Sequence, residues 1–175
     1  MGSDRTRSRL HSDAREFFEG ELEHLDELIA EASALRDDDR KLLGFVDQMI
    51  AKILAPNPNE KVLIFTEYRT TQTYIREALE KRFGEDSVEL INGSMPHAKR
   101  KAAIGRFEEN TNFLISTEAG GEGINLQRKC HIMVNYDLPW NPMRLVQRIG
   151  RLYRYGQKKR VVVFNLHSQD TADEQ

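Results

Sequence analysis

Residues 144–160 read RLVQRIGRLYRYGQKKR, a run with seven Lys and Arg and no acid. Each guanidinium is a rigid fork of N–H donors that fits the paired oxygens of a phosphate or a carboxylate. On a helix advancing about 100° per residue, Arg144, Arg148 and Arg151 share one stripe. Like charges at that spacing oppose each other by roughly a few tenths of a kcal/mol per pair. A negative group must offset the repulsion unless the run is a solvated basic face, and spacing alone leaves both readings open. Gly150 and Gly156 lower the weight of the solvated face. They read as turn positions from which Arg151 and Arg154 project off a helix end toward phosphate oxygens, of nucleic acid or of a nucleotide's γ-phosphoryl group.

Other chemistries are poorly represented. The cluster EAGGEGINL puts Leu126 where a dinucleotide fingerprint needs a third small residue after Gly121 and Gly123. No GxxxxGK[ST] stretch occurs, so the chain has no phosphate-cradling loop with which to bind and split ATP by itself. The five histidines, His11, His24, His97, His131 and His167, have no ligand spacing, and no metal site is expected. Cys130 is the sole cysteine; it lies in an apolar run with no base beside it, and reads as packing in a reducing compartment.

The elements that position these residues follow from periodicity. From residue 13 to about 54 the pattern is helical: Leu22, Leu25, Leu28, Ile29 and Leu35, then Leu42, Leu43, Phe45, Val46, Met49, Ile50, Ile53 and Leu54. RDDDRK interrupts it, with Asp38 or Asp39 as a candidate N-cap, and APNPNE ends it. Five short apolar runs follow: KVLIF (61–65), VELI (88–91), FLIST (113–117), HIMVNY (131–136) and RVVVFNL (160–166). Helical stretches TTQTYIREALEKRF, HAKRKAAIGRFEE and PMRLVQRIG alternate with them. That rhythm predicts an α/β fold, a parallel sheet with right-handed crossovers flanked by helices, and its ligands sit beyond the carboxyl ends of the strands. The 175 residues suffice for one domain with a small extension, and the net charge of −2 conceals opposed regions, since residues 13–39 hold eleven acids against Arg15 and Arg36. With no membrane span or signal peptide evident, the chain reads as cytoplasmic. The start MGS and the stop inside helix-forming TADEQ lead us to expect a fragment of a longer protein.

Together these residues resemble a known family. QRIGRLYRYGQ resembles motif VI of superfamily 2 helicases, ISTEAGGEGINLQ resembles motif V and KVLIFTEY motif IV, in the family's order. YDLPWNPMRLVQRIGR is similar to Snf2-type translocases, above all the bacterial branch that includes the RNA-polymerase-recycling ATPase. The match spans 39–175, and residues 1–38 stand apart as an acidic helical extension. Glu118 stands where many Snf2 members carry a basic residue. Gly150 stands where many have Asp, and is closer to general helicases and the recycling branch.

The resemblance implies a second RecA-like lobe that closes over ATP and Mg²⁺, both held mainly by an absent N-terminal RecA-like lobe of the same polypeptide. Arg151 and Arg154 would be arginine fingers on the γ-phosphate, with Gln147 positioning the motif and Glu122, Gly123 and Asn125 near the nucleotide. Nucleic acid, expected to be double-stranded DNA, would be gripped through its phosphates by Thr66, Tyr68, Arg69, Gly93, Ser94, Ser116 and Thr117. Arg100 either touches DNA or holds its helix to the lobe, and Trp140 is expected to pack its loop against the sheet rather than stack on a base. A protein target and a place near the bacterial nucleoid complete the expectation. Two alternatives remain: a non-catalytic docking module, and the lobe of an RNA-directed superfamily 2 helicase.

Overall fold

The computed structural model describes residues 20–35 and 39–167. The chain divides into two compact units, residues 1–39 and 40–175. In the first, helix α1 spans Glu21–Leu35, with Glu21 and Glu23 in its first turn, where acids favour the positive end of the helix dipole. Leu25, Leu28 and Ile29 are exposed on it. The expected helix start at 13–19 and the Asp38 cap lie outside the described residues.

The second unit opens with helix α2, in which Arg40–Leu43 runs through a π-helical Gly44–Ile50 into Ala51–Leu54. The three- and four-residue spacing of Leu42, Phe45, Val46 and Ile50 buries one stripe of it. Strands and helices then alternate: β1 Val62–Phe65, α3 Arg69–Phe83, β2 Val88–Ile91, α4 His97–Glu109, β3 Phe113–Ser116, the short turn α5 Glu118–Gly121, β4 Ile132–Asn135, α6 Pro142–Ile149 and β5 Val162–Asn165. All five apolar runs are strands, and they pair in parallel in the order β2-β3-β1-β4-β5.

The order explains the composition. β1, β3 and β4 are interior strands buried at every position, and an uninterrupted apolar run is what two covered faces demand. β5 is an edge, and its outer residues Val162 and Asn165 are exposed. Alternation divides the core into two layers. Val62, Ile64, Phe113, Ile115 and Val134 meet α2 and α3 on one face. Leu63, Phe65, Leu114 and Met133 meet α4, the loop at 124–130 and Leu152 on the other. β1 therefore feeds a helix on the first face, while its neighbours β3 and β4 feed segments on the second. Loops that part in this way leave a crevice at the carboxyl edge, where ligands of open α/β sheets bind.

Candidate functional site

The basic run is not one stripe. Arg148 is 1% exposed and is among the largest fully buried side chains of the described residues. Its Nε donates to Glu118 Oε2 at 2.8 Å, and its Nη1 to Asn135 Oδ1 at 3.0 Å and to the Asp137 carbonyl at 3.1 Å. The guanidinium also lies 5.0 Å from the Phe65 ring centroid. Its Nη2 is buried without a hydrogen-bond partner. Arg144, one turn earlier, is exposed and lies 3.5 Å from Glu67. Two carboxylates thus relieve the repulsion that a shared stripe would impose, and Glu118, the departure from many Snf2 sequences, is one of them. Sequence reasoning missed this pair because Glu118 is 30 residues away; its acid between strand end and glycines was the available signal.

Asp137 joins the loops after β1 and β4. Its carboxylate accepts from Thr66 Oγ1 at 2.5 Å and from the Glu67 N–H at 2.8 Å. Thr66 is fully buried, and so is Ser116, whose hydroxyl donates to the Thr117 carbonyl at 2.8 Å. Thr117 is buried and caps α5 by accepting from the Gly120 N–H. The three hydroxyls expected to meet phosphate are therefore turned inward and hold the loops in shape. The pocket of Gly120 and Gly121 has the same character: a Cβ on Gly120 would stand 2.6 Å from Asn92 Cα and from the Ile91 carbonyl, so only glycine lets this loop lie on the end of β2.

Residues nearer the surface form two groups. On the α3 side, Arg69 Nη2 donates to Ser94 Oγ at 2.6 Å and reaches Asn92 Oδ1 at 3.4 Å. Tyr68, Gly93 and Ser94 are exposed there, and Gly93 is held against Ala119. Arg100 is half-buried, with no partner on its Nε.

The second group brings the segment 122–127 against the turn after α6. Arg154 Nη1 donates to Asn125 Oδ1 at 2.5 Å, the Leu126 N–H to the Arg151 carbonyl at 3.4 Å, and Gln127 Nε2 to the Tyr155 carbonyl at 3.4 Å. Glu122, Gly123, Gln147 and Arg154 are exposed and Arg151 is half-buried. Gly123 has φ +74° with open space around it, so its glycine serves the backbone conformation. Of the two glycines read as turns, Gly156 has φ +97° while Gly150 remains in the right-handed helical region at φ −60°, a correction to the expectation that both permit the bend by their conformation.

Trp140 is 91% exposed, contrary to the expected packing. The physical reason lies beside it: Asn141 caps α6 by accepting from the Met143 N–H at 2.9 Å and Pro142 begins the helix, so capping fixes the loop without the indole, and Pro139 is the loop's buried residue.

Four of the five resolved pKa shifts, at Glu60, Lys61, Cys130 and His131, gather at the opposite edge of the sheet. Burial pushes the Cys130 thiol up to about 12, against hydrogen bonds to backbone, which makes it inert packing as expected. Burial also lowers His131, with Lys159 adding to the effect and Glu60 opposing it. Burial alone would raise Glu60, but Asn57, His131, the Lys61 N–H and Lys159 outweigh it and hold it below the usual carboxylate range. Among the described residues no three His, Cys, Asp or Glu side chains group as a metal cage requires. The donors gathered at the rim of the site, guanidinium and amide groups, suit an anion and not a divalent cation.

The profile of the helicase conserved C-terminal domain matches residues 45–156. The chain is 47% identical over 134 residues to the uncharacterized ATP-dependent helicase YqhH of Bacillus subtilis, covering 77% of this chain and 22% of that protein. It is 33% identical over 135 residues to the mouse DNA repair and recombination protein RAD54B, covering 73% of this chain and 15% of that one. The solved C-terminal part of the Fun30 ATPase domain superposes with a TM-score of 0.66 at 27% identity, over 73% of this chain and 40% of that one.

Proposed function

The chain belongs to the helicase conserved C-terminal domain family, and from that premise we propose that it is the second RecA-like lobe of a Snf2-type, ATP-driven translocase on double-stranded DNA. The observation that supports this reading is the meeting of segment 122–127 with the turn at 151–155, where Arg154 bonds Asn125 and the Leu126 N–H bonds the Arg151 carbonyl, with Arg154 and Gly123 exposed beside it in sequence. ATP and Mg²⁺ are held mainly by an N-terminal RecA-like lobe. This lobe adds guanidinium groups to the phosphates: charge spreads over the transferred phosphoryl group, so a finger stabilises the transition state more than the bound nucleotide. Gln147, exposed on α6, is the residue we assign to positioning the motif at the nucleotide.

Tyr68, Arg69, Gly93 and Ser94 grip the DNA backbone, and Thr66, Ser116 and Thr117 stiffen the loops behind them. DNA is favoured over RNA by the similarity to a DNA repair and recombination protein. Residues 1–38, rich in acids, are assigned as an extension that precedes the lobe in sequence.

The test uses both the isolated chain and the two-lobe protein. The isolated chain is expected to show no ATP turnover above buffer, and in the two-lobe protein Arg151→Ala should lower kcat far more than ATP affinity. Turnover by the isolated chain that Arg151→Ala abolishes contradicts the reading. Stimulation compared among duplex DNA, single strands and RNA tests the substrate, and a two-lobe protein without turnover on any of them leaves the docking-module alternative.

A further inference from the structure

Arg148 is the buried group that the proposed chemistry leaves without a task. It sits between everything that chemistry uses. Through its Nε it holds Glu118, which begins the turn lying on Asn92 and Gly93. Through Nη1 it holds the carbonyl of Asp137, whose carboxylate fastens Thr66 and Glu67. Its own backbone belongs to the last turn of α6, and its carbonyl accepts from the Arg151 N–H at 3.0 Å. One residue thus touches both loops behind the phosphate-gripping rim through its guanidinium, and the backbone of the first finger through its own carbonyl.

Its bonding is also incomplete. A carboxylate usually meets arginine through two parallel bonds, yet Glu118 engages Nε alone, while Nη2 is buried and unpartnered. A small displacement of Glu118 would allow its second oxygen to take Nη2. A second, forked arrangement is therefore open to the pair, differing from the observed single-pronged one by one charge-assisted hydrogen bond between a buried guanidinium and a carboxylate that is 25% exposed. A packed site with two discrete arrangements transmits a shift, whereas a saturated one resists it.

We propose that Arg148 is a positioning residue, a two-state latch with Glu118 that relays backbone engagement at the loops of residues 66–69, 92–94 and 117–121 to Arg151. Nucleic acid pressing on these loops moves Glu118 into the forked arrangement, α6 follows Arg148, and the finger reaches its working position. The inference rests on the translocase reading and adds to it a route for nucleic-acid stimulation of ATP hydrolysis.

The experiment measures basal and duplex-stimulated kcat, KM for ATP and duplex affinity in the two-lobe protein carrying Arg148→Lys, Glu118→Gln or Arg151→Ala, each below its own unfolding midpoint. Lysine keeps a positive charge beside Glu118 but cannot span Glu118, Asn135 and Asp137 at once, so the unfolding midpoint of this variant is measured first and kinetics are read only on folded protein. The stimulation ratio should fall roughly 2- to 30-fold in Arg148→Lys and Glu118→Gln, with KM and duplex affinity within about twofold of the parent. A folded Arg148→Lys protein with the parental stimulation ratio overturns the latch, as does a ratio that falls only together with duplex affinity. If Arg151→Ala keeps full kcat, the translocase reading itself fails; if Arg151→Ala is inactive while Arg148→Lys is stimulated normally, only the relay fails.

Discussion

Arg148 and Arg154 lie six residues apart in one basic run, yet one is 1% exposed and bonded to a carboxylate, an amide and a carbonyl, while the other stands at the surface with a single amide partner. The inner arginine belongs to the architecture of the lobe, and in the proposed function the outer one, with Arg151, serves the nucleotide. A guanidinium with its counter-charge inside the lobe has little to offer a phosphate. One whose only partner is a neutral side chain keeps its charge for a ligand. Residue type is shared across the run, and what separates the roles is the presence or absence of an acid within reach.

The comparison breaks most visibly in turnover. In the two-lobe protein, Arg151→Ala should reduce kcat by about 10³- to 10⁵-fold, the range of fingers in related NTPases, with ATP affinity little changed; equal losses in both would make it a ground-state binder. Stability sharpens the other side. Glu118→Ala leaves a buried guanidinium without its carboxylate and should cost about 3–5 kcal/mol in denaturant unfolding, whereas Arg148→Met leaves behind a Glu118 side chain that is 25% exposed and can hydrate, so its cost should be smaller. The opposite ordering would show that Arg148 is held by its neutral partners. Gly120→Ala forces a Cβ against β2's backbone and should cost about 1–3 kcal/mol by the same measurement.

The far edge of the sheet supplies a control. His131 binds a proton less readily folded than unfolded, so its contribution is present above the ordinary histidine value of 6.5 and is lost as pH falls below it. Glu60, held low, adds a loss of the same sign at more acid pH. The unfolding midpoint should therefore drop between about pH 7 and 5, and His131→Gln should flatten that slope. The smallest effect is expected at Trp140→Ala, within about 0.5 kcal/mol of the parent in stability, because the indole buries almost nothing in this lobe.

Much of this lobe was legible in advance. KVLIF, FLIST and HIMVNY are apolar at consecutive positions, which only a strand covered on both faces tolerates, and each is an interior strand. HAKRKAAIGRFEE is a helix over its whole length. The resemblance to Snf2-type helicases holds, and the chain's relatives are ATP-dependent helicases of that type. Local rules failed where a side chain's surroundings come from elsewhere in the chain. Thr66 is an ordinary strand-end hydroxyl by sequence, and its inward direction depends on Asp137 from the loop after a different strand. Trp140 misled for the converse reason, since a large aromatic residue usually finds a core and this one has none beneath it.

By itself the sequence determined the strands, the helices and the order in which candidate groups appear, because hydrophobic period and capping act over a few residues and leave a direct trace in the letters. The tertiary structure alone decided which arginine faces a carboxylate and which faces solvent. Charge pairing depends on distance in space, and the partners here, Glu118 with Arg148 and Asn125 with Arg154, are brought together only when parallel strands set distant loops along one edge.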